Sequence, residues 1–267
     1  MNLIKAGVVN VVLFKCEDIK SKGFCNYFGA GSAKHPHYLF VTIILKFVKA
    51  FLKTIKMDLR DIRKDYQHNT IRDEEFPVEP VNWFRGWLRD AMESGEPEAT
   101  AMILSTVSAE WRPSARVVLL KSFDEKGFVF FTNYLSRKGV QIGGNHAAAL
   151  TFFWPLTERQ VRIEGIIVKT DSGESDEYFY SRPIESQVNA IISPQSSPIA
   201  SRNQLEQERE RLLFAEAGEN LRRPAHWGGY RLKPDRIEFW QGRPGRLHDR
   251  IQYLLEGNVW RISRLAP

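Results

Sequence analysis

Two cysteines occur in 267 residues, Cys16 and Cys25, and both precede Met57. The rest of the chain has no thiol, which excludes disulfides, cysteine-ligated zinc and a cysteine nucleophile there. The G-x-G-x-x-G turn, the Walker loop, H-E-x-x-H and G-x-S-x-G are also missing, and with them the commonest nucleotide, metalloprotease and acyl-transfer signatures. The apolar run Tyr38–Leu45 stops at Lys46, short of the roughly 20 residues that a spanning helix needs. No secretory leader pattern opens the chain. What is present is globular: 43% hydrophobic, 12% aromatic and 26% charged residues. That excludes a disordered or collagenous chain and allows one large domain or two small ones.

A net charge of +6 first points to a nucleic-acid or anionic-membrane binder. The distribution removes that reading. Nine of the 38 basic residues and two of the 32 acidic ones precede Met57, leaving 29 basic against 30 acidic in 57–267. Basic usage changes too, from lysine only before Met57 to 23 arginines and 6 lysines after it. Lys46, Lys49, Lys53 and Lys56 recur at helical spacing opposite Ile44, Phe47, Val48, Phe51, Leu52 and Ile55. Three readings of residues 1–56 stay open. They are upstream sequence ahead of a natural start at Met57, a basic amphipathic helix on a membrane surface, or a packed extension. Residues 57–267 are the expected domain, cytoplasmic and without a nucleic-acid partner.

Along this domain the pattern predicts a charged helix over 57–67 and a second over Val81–Met92, opened by Pro80. From Thr100 the period becomes strand-like: Ala101–Ser108, Ala115–Phe123, Gly127–Asn133, Ala148–Trp154 and Gln160–Lys169. Ser136 reads as the N-cap of a short helix. A helical section over Ser172–Gly218 is broken at Pro183 and at Ser193–Pro198. Strands return at Trp227–Leu232, Arg236–Gln241 and Val259–Arg264. Turns rather than crossover helices join the early strands, so the expected fold is mainly β with helices (α+β), a barrel with helical decoration.

Cations stand at strand ends and helix starts. Arg116 and Lys121 flank an apolar strand, and Arg137 and Lys138 follow the Ser136 cap, where free N–H groups favour an anion. Tyr178, Arg182 and Ser186 share one helical face at i, i+4 and i+8, which makes a phosphate clamp. Alternate side chains of a strand put Arg246, His248 and Arg250 on one face. Each feature has a plain structural reading as well: solvated surface arginines, a cap followed by exposed bases, a polar helix side, a surface histidine. On the residues alone, the chain is a β-barrel protein that binds phosphorylated ligands.

These segments resemble the pyridoxine/pyridoxamine 5′-phosphate oxidase family. The motifs are RVVLLK (116–121), FTNYLSRK (131–138), LTERQVRIEG (156–165), YFYSRPIESQ (178–187), QSS (195–197), WGGYR (227–231), IEFWQG (237–242), RLHDR (246–250) and RLAP (264–267), in family order. The resemblance implies a Greek-key-like FMN-binding split β-barrel, homodimeric, with FMN at the subunit interface. It implies oxidation of pyridoxine 5′-phosphate and pyridoxamine 5′-phosphate to pyridoxal 5′-phosphate, with O2 as acceptor and H2O2 as by-product. FMN contacts are expected from Arg116, Leu119, Leu120, Lys121, Phe131, Thr132, Arg137, Lys138, Gln160, Gln195, Ser196, Trp240 and Arg250. Substrate contacts are expected from Arg63, Lys64, Asp65, Tyr66, Lys121, Tyr178, Arg182 and Ser186. Arg246 and His248 are expected at the reacting end, as catalytic residues. No metal is expected. Phe131 departs from the family, where tyrosine is common, and Lys64 stands where arginine is common. Other readings are a flavin-binding reductase of the same fold and a non-catalytic carrier of pyridoxal phosphate.

Overall fold

Pro80, whose fixed φ and missing N–H suit a helix start, opens the first helix. α1 (Pro80–Glu93) buries Val81, Phe84, Trp87, Leu88 and Ala91, and its Trp83 stacks on Phe239 at 4.3 Å. The computed structural model describes residues 59–62, 64–67, 69–72, 76–216 and 221–267. Lys64–Pro267 form one compact unit. The expectations for residues 1–56 and Arg63 lie outside the described residues.

The strands are β1 (Ala101–Val107), β2 (Pro113–Leu119), β3 (Ser122–Asp124), β4 (Gly127–Asn133), β5 (Ala147–Trp154), β6 (Arg159–Lys169), β7 (Trp227–Gln241), β8 (Asp249–Glu256) and β9 (Val259–Arg264). They pair antiparallel in the order β2-β1-β5-β6-β7-β4-β3, with β8 on β7 and β9 on β8. One feature curls the sheet on itself. β2 and β3 lie at opposite ends of that order, yet only Leu120 and Lys121 separate them. The Leu120 N–H donates to Thr100 O and the Lys121 N–H to Val129 O, both at 2.9 Å. The chain passes from one sheet edge to the other in two residues, giving a split barrel.

Inside it, Phe84 meets Phe123, Phe128 and Phe152 edge-on at 4.9–5.0 Å. Leu104, Leu150, Val161, Ile163, Ile237, Phe239 and Ile251 complete a dry core. Buried polar ends are satisfied: Trp154 Nε1 donates to Ala99 O and the Tyr253 hydroxyl to Pro77 O. The helices α2 (Arg137–Gly144), α3 (Ser172–Ser181), α4 (Ile184–Ile192) and α5 (Arg202–Glu216) are inserted between strands. A smaller cluster of Phe179, Ala190 and Trp227 joins α3 and α4 to the start of β7.

Five sequence expectations need correction. The 57–67 helix is absent from the described residues 59–62 and 64–67, and the Gln67 N–H is bonded to a distant carboxylate instead of a helical carbonyl. The single 115–123 strand is divided at the crossing just described. The two strands at 227–232 and 236–241 are one, β7, whose extra residue Asp235 makes a bulge opposite Glu164/Gly165 of β6. A Cβ on Gly165 would lie 2.0 Å from Lys233 O, so only glycine permits that approach. Residues 246–248 are not strand, because Gly245 and Arg246 both have φ of 64° and β8 starts at Asp249. Finally, α3 ends at Ser181 and Arg182 is extended (φ −80°, ψ 150°), as a residue before proline prefers. The continuous helical face through Tyr178, Arg182 and Ser186 does not exist. β8 itself, beyond RLHDR, was not anticipated.

Candidate functional site

The first group of predicted residues gathers at the β4–α2 junction. Ser136 caps α2, accepting from the Gly139 N–H, and Gly139 is obligatory because a Cβ there would lie 2.1 Å from Tyr134 O. The cap fixes Arg137 and Lys138 in the first helical turn. Lys138 Nζ turns back to Thr132 Oγ1 at 3.0 Å, Ser136 Oγ at 3.3 Å and Gln195 Oε1 at 2.8 Å. Arg116, on β2, donates to Leu104 O, Thr106 Oγ1 and Gln141 Oε1 at 2.6–3.1 Å. All of these acceptors are neutral. Burial, and then the neighbouring Arg116, pull the Lys138 ammonium down to about 8. Burial and Arg137 likewise lower Arg116 from its ordinary value. Three cations thus converge where an anion is needed to balance them. Thr106 and Gln141 were missed from sequence. The available signal was Gln141 one helical turn after Arg137.

A second group surrounds stacked rings. Phe131 lies 4.0 Å from Tyr178, and Trp227 continues the stack. Lys121 Nζ is 6.0 Å from the Tyr178 ring and the Arg182 guanidinium 4.8 Å from the Trp227 ring. A cavity of about 290 Å³ opens here, lined by Lys121, Ser122, Phe131, Glu174, Glu177, Tyr178 and Ser181. Arg182 Nη1 is buried and has no acceptor among the described residues, and burial lowers its pKa. Ser186 sits in the first turn of α4, its N–H bonded to Pro183 O. The Leu120 side chain points into the core, 4% exposed, so only its backbone can face a ligand. Leu119 ends β2 beside it.

The third group is a row across the sheet. Gln160 of β6, Trp240 of β7 and Arg250 of β8 are register partners and share one face. His248 lies 4.7 Å from the Trp240 ring, and Tyr66 packs edge-on against both. His248 Nδ1 accepts from the Arg243 N–H at 3.1 Å, which leaves Nε2 for another partner. Arg246 is exposed on the preceding turn. Arg250 is held by both Glu238 oxygens, at 2.8 and 3.1 Å, and donates to Ala266 O. Ser196 follows Gln195 with φ of 74°. Asp65 is exposed beside Tyr66.

Residues 88–215 match the family model described as pyridoxamine 5′-phosphate oxidase. Residues 227–267 match the pyridoxine 5′-phosphate oxidase C-terminal dimerisation region. The pyridoxine/pyridoxamine 5′-phosphate oxidase of Bordetella pertussis is 51% identical over 212 residues, 79% of this chain and all of that one. The chain belongs to the pyridoxamine 5′-phosphate oxidase family.

Other members are as near, such as that of Actinobacillus succinogenes, 50% identical over 79% of this chain and all of that one. Among solved structures, PhzG from Burkholderia lata, in complex with tetrahydrophenazine-1-carboxylic acid, is 31% identical with a TM-score of 0.71. It covers 75% of this chain and 99% of its own. A pyridoxamine 5′-phosphate oxidase-related, FMN-binding protein from Nostoc punctiforme shares the fold at 18% identity, with a TM-score of 0.55, over 69% of this chain and 97% of its own. The oxidase-family fold and a flavoprotein oxidoreductase class follow for this chain, as does a dimerisation region at its C-terminus. Among the described residues no helix is long and apolar enough to cross a membrane.

Proposed function

We propose that this family member oxidises pyridoxine 5′-phosphate and pyridoxamine 5′-phosphate to pyridoxal 5′-phosphate, using FMN in a homodimer. The carrying observation is that the chain holds two separate cation sets, each short of an anion. Arg116, Arg137 and Lys138 form one, with only neutral acceptors around Arg116 and Lys138. Lys121 and Arg182 form the other, with a buried, unpartnered Nη1. Two ligands, each with a phosphate near −2 charge, suit these two sets. The first fits FMN: Arg116, Arg137, Lys138, Ser196 and the capped start of α2 would hold its phosphate. Leu119, Leu120, Phe131 and Thr132 would supply backbone groups beside it. Gln160, Trp240 and Arg250 form a separate row across β6, β7 and β8 and would complete the flavin site from the partner subunit.

Bound FMN supplies a two-electron acceptor that O2 reoxidises to give H2O2, the amine substrate also releasing ammonia on hydrolysis. The protein's part is binding and alignment. Lys121 and Arg182 grip the substrate phosphate, and the Phe131–Tyr178–Trp227 stack walls that end against water. His248, with Nδ1 occupied by the Arg243 N–H, presents Nε2 to the reacting end, and Arg246 presents a guanidinium there. Neither the cations nor the rings transfer electrons.

A second reading is supported by the likeness to PhzG: oxidation of a ring carboxylic acid instead of a phosphate ester. Lys121 with Arg182 favours the phosphate. Oxygen uptake decides between them. The expected result is consumption with pyridoxine 5′-phosphate or pyridoxamine 5′-phosphate and none with the unphosphorylated vitamers. Equal turnover of phosphorylated and unphosphorylated forms would defeat the reading.

A further inference from the structure

The segment Lys64–Ile71 has no regular secondary structure among its described residues, yet carboxylates from a distant turn and from the start of β8 bond to its backbone. Glu158, in the β5–β6 turn, is 2% exposed and has a positive φ of 55°. Its Oε2 accepts from the Gln67 N–H at 2.8 Å, and its Oε1 lies 3.5 Å from Lys64 Nζ. Its backbone O accepts from the Gly242 N–H and from Gln241 Nε2. Four residues along the segment, the Ile71 N–H donates to Asp249 Oδ2 at 3.0 Å. Asp249 also binds Arg243 and Arg264 and directly follows His248.

Directly before the first of these anchors, Tyr66 is laid on Gly242. A Cβ there would meet Tyr66 Cγ at 2.6 Å, so the ring occupies the space that glycine leaves. The same ring meets Trp240 at 5.4 Å and His248 at 5.6 Å. A buried carboxylate is costly unless it is well bonded, and neither Glu158 nor Asp249 is used by the proposed chemistry.

We propose that Glu158 and Asp249 are positioning residues: two carboxylate latches that pin the 64–71 strap and so set Tyr66 against Trp240 and His248 at the reacting end of the site. What Tyr66 faces rests on the oxidase reading; the latching itself does not. Both anchors use backbone N–H groups, so the latches hold the strap's course, and Tyr66, directly before the Gln67 anchor, is placed by it. Ile71 is buried in the barrel core, whereas Lys64, Asp65 and Gln67 are exposed. Releasing the Glu158 latch should therefore leave the fold and the phosphate clamps intact while loosening the wall beside His248.

The test uses the full chain with FMN added, Glu158→Gln to keep shape while losing charge, and Glu158→Ala to remove the acceptor. Amide hydrogen exchange is read at Gln67 and Ile71 against core amides of Phe152 and Phe239, alongside steady-state kinetics with pyridoxine 5′-phosphate. In Glu158→Ala, Gln67 exchange should rise roughly tenfold or more, the scale of a lost charge-assisted bond, with core exchange unchanged. KM should rise about as much, because a loosened wall costs binding more than chemistry, with kcat within about twofold. Glu158→Gln should fall between wild type and Glu158→Ala. Unchanged Gln67 exchange overturns the latch. Equal acceleration in the core makes Glu158 a general structural residue and overturns it as well. A freed strap with unaltered KM overturns the positioning role. If the unaltered protein turns over neither substrate, the oxidase reading fails, while exchange at Gln67 still decides the latch.

Discussion

The two ends of the site are built on opposite principles. At the phosphate end, Arg116 and Lys138 are oriented by uncharged acceptors, Thr106, Gln141, Thr132 and Gln195. Their charge stays uncompensated and is available to a ligand. At the reacting end, Arg243 and Arg264 are tied to Asp249, and Arg250 to Glu238. There the arginines hold neighbouring segments together, which on the proposed reading leaves His248 and Arg246 for the substrate. Neutral scaffolding preserves binding charge, whereas ionic scaffolding spends it on shape. Burial works to raise the Asp249 pKa, but the bonds from Ile71, Arg264 and Arg243 prevail and hold it below the usual carboxylate value.

Substitutions should separate the ends in order of size. The largest effect is expected for Arg246→Ala, on the order of 100-fold in the rate of flavin bleaching at saturating substrate, because misalignment near the reacting atoms is costly. Flavin content should stay normal, as anaerobic stopped-flow and absorbance would read together. Next is Arg116→Ala, which should weaken FMN binding by about tenfold or more through the lost charge-assisted bonds, measured by fluorescence titration. Arg182→Ala should raise KM by roughly tenfold with a smaller change in kcat, since a phosphate grip is equal in ground and transition states. Smallest is Phe131→Tyr. It restores the hydroxyl common in the family on a ring that works by stacking, and kcat/KM should move less than about twofold.

Much of the fold could be read from the chain because local rules agreed with tertiary demands. Pro80 opened α1, Ser136 capped α2, and β-branched and aromatic runs marked β1, β4, β5 and β6. The failures share a cause, backbone whose hydrogen bonds are settled by distant partners. Leu120 and Lys121 look like mid-strand residues until both sheet edges are in place to accept their N–H groups. Gln67 reads as helix until Glu158 is seen to take its N–H group. At Arg182 the following proline did signal the break, and a spacing argument ran across it. The residues proposed to face ligands come from motif resemblance. The residues that orient them, Thr106, Gln141, Glu158 and Asp249, were not legible, because a buried polar side chain looks the same in sequence whether it holds a loop or a ligand.

The central claim, that Lys138 belongs to a dianion site left positive by its neutral scaffold, meets its most direct test in the pH dependence of FMN affinity. In the free site the Lys138 pKa is depressed to about 8; a bound phosphate favours the ammonium and raises it. Above about pH 8 binding must therefore take up a proton, and affinity should fall by about tenfold per pH unit until the raised pKa is reached. Below that break, down to the phosphate's own second pKa near 6, affinity should be flat. Calorimetric titration in buffers of different ionisation enthalpy would count the proton, and Lys138→Met should abolish both the uptake and the break. An affinity that is flat through pH 8 to 9.5, or a break that survives in Lys138→Met, would contradict the account.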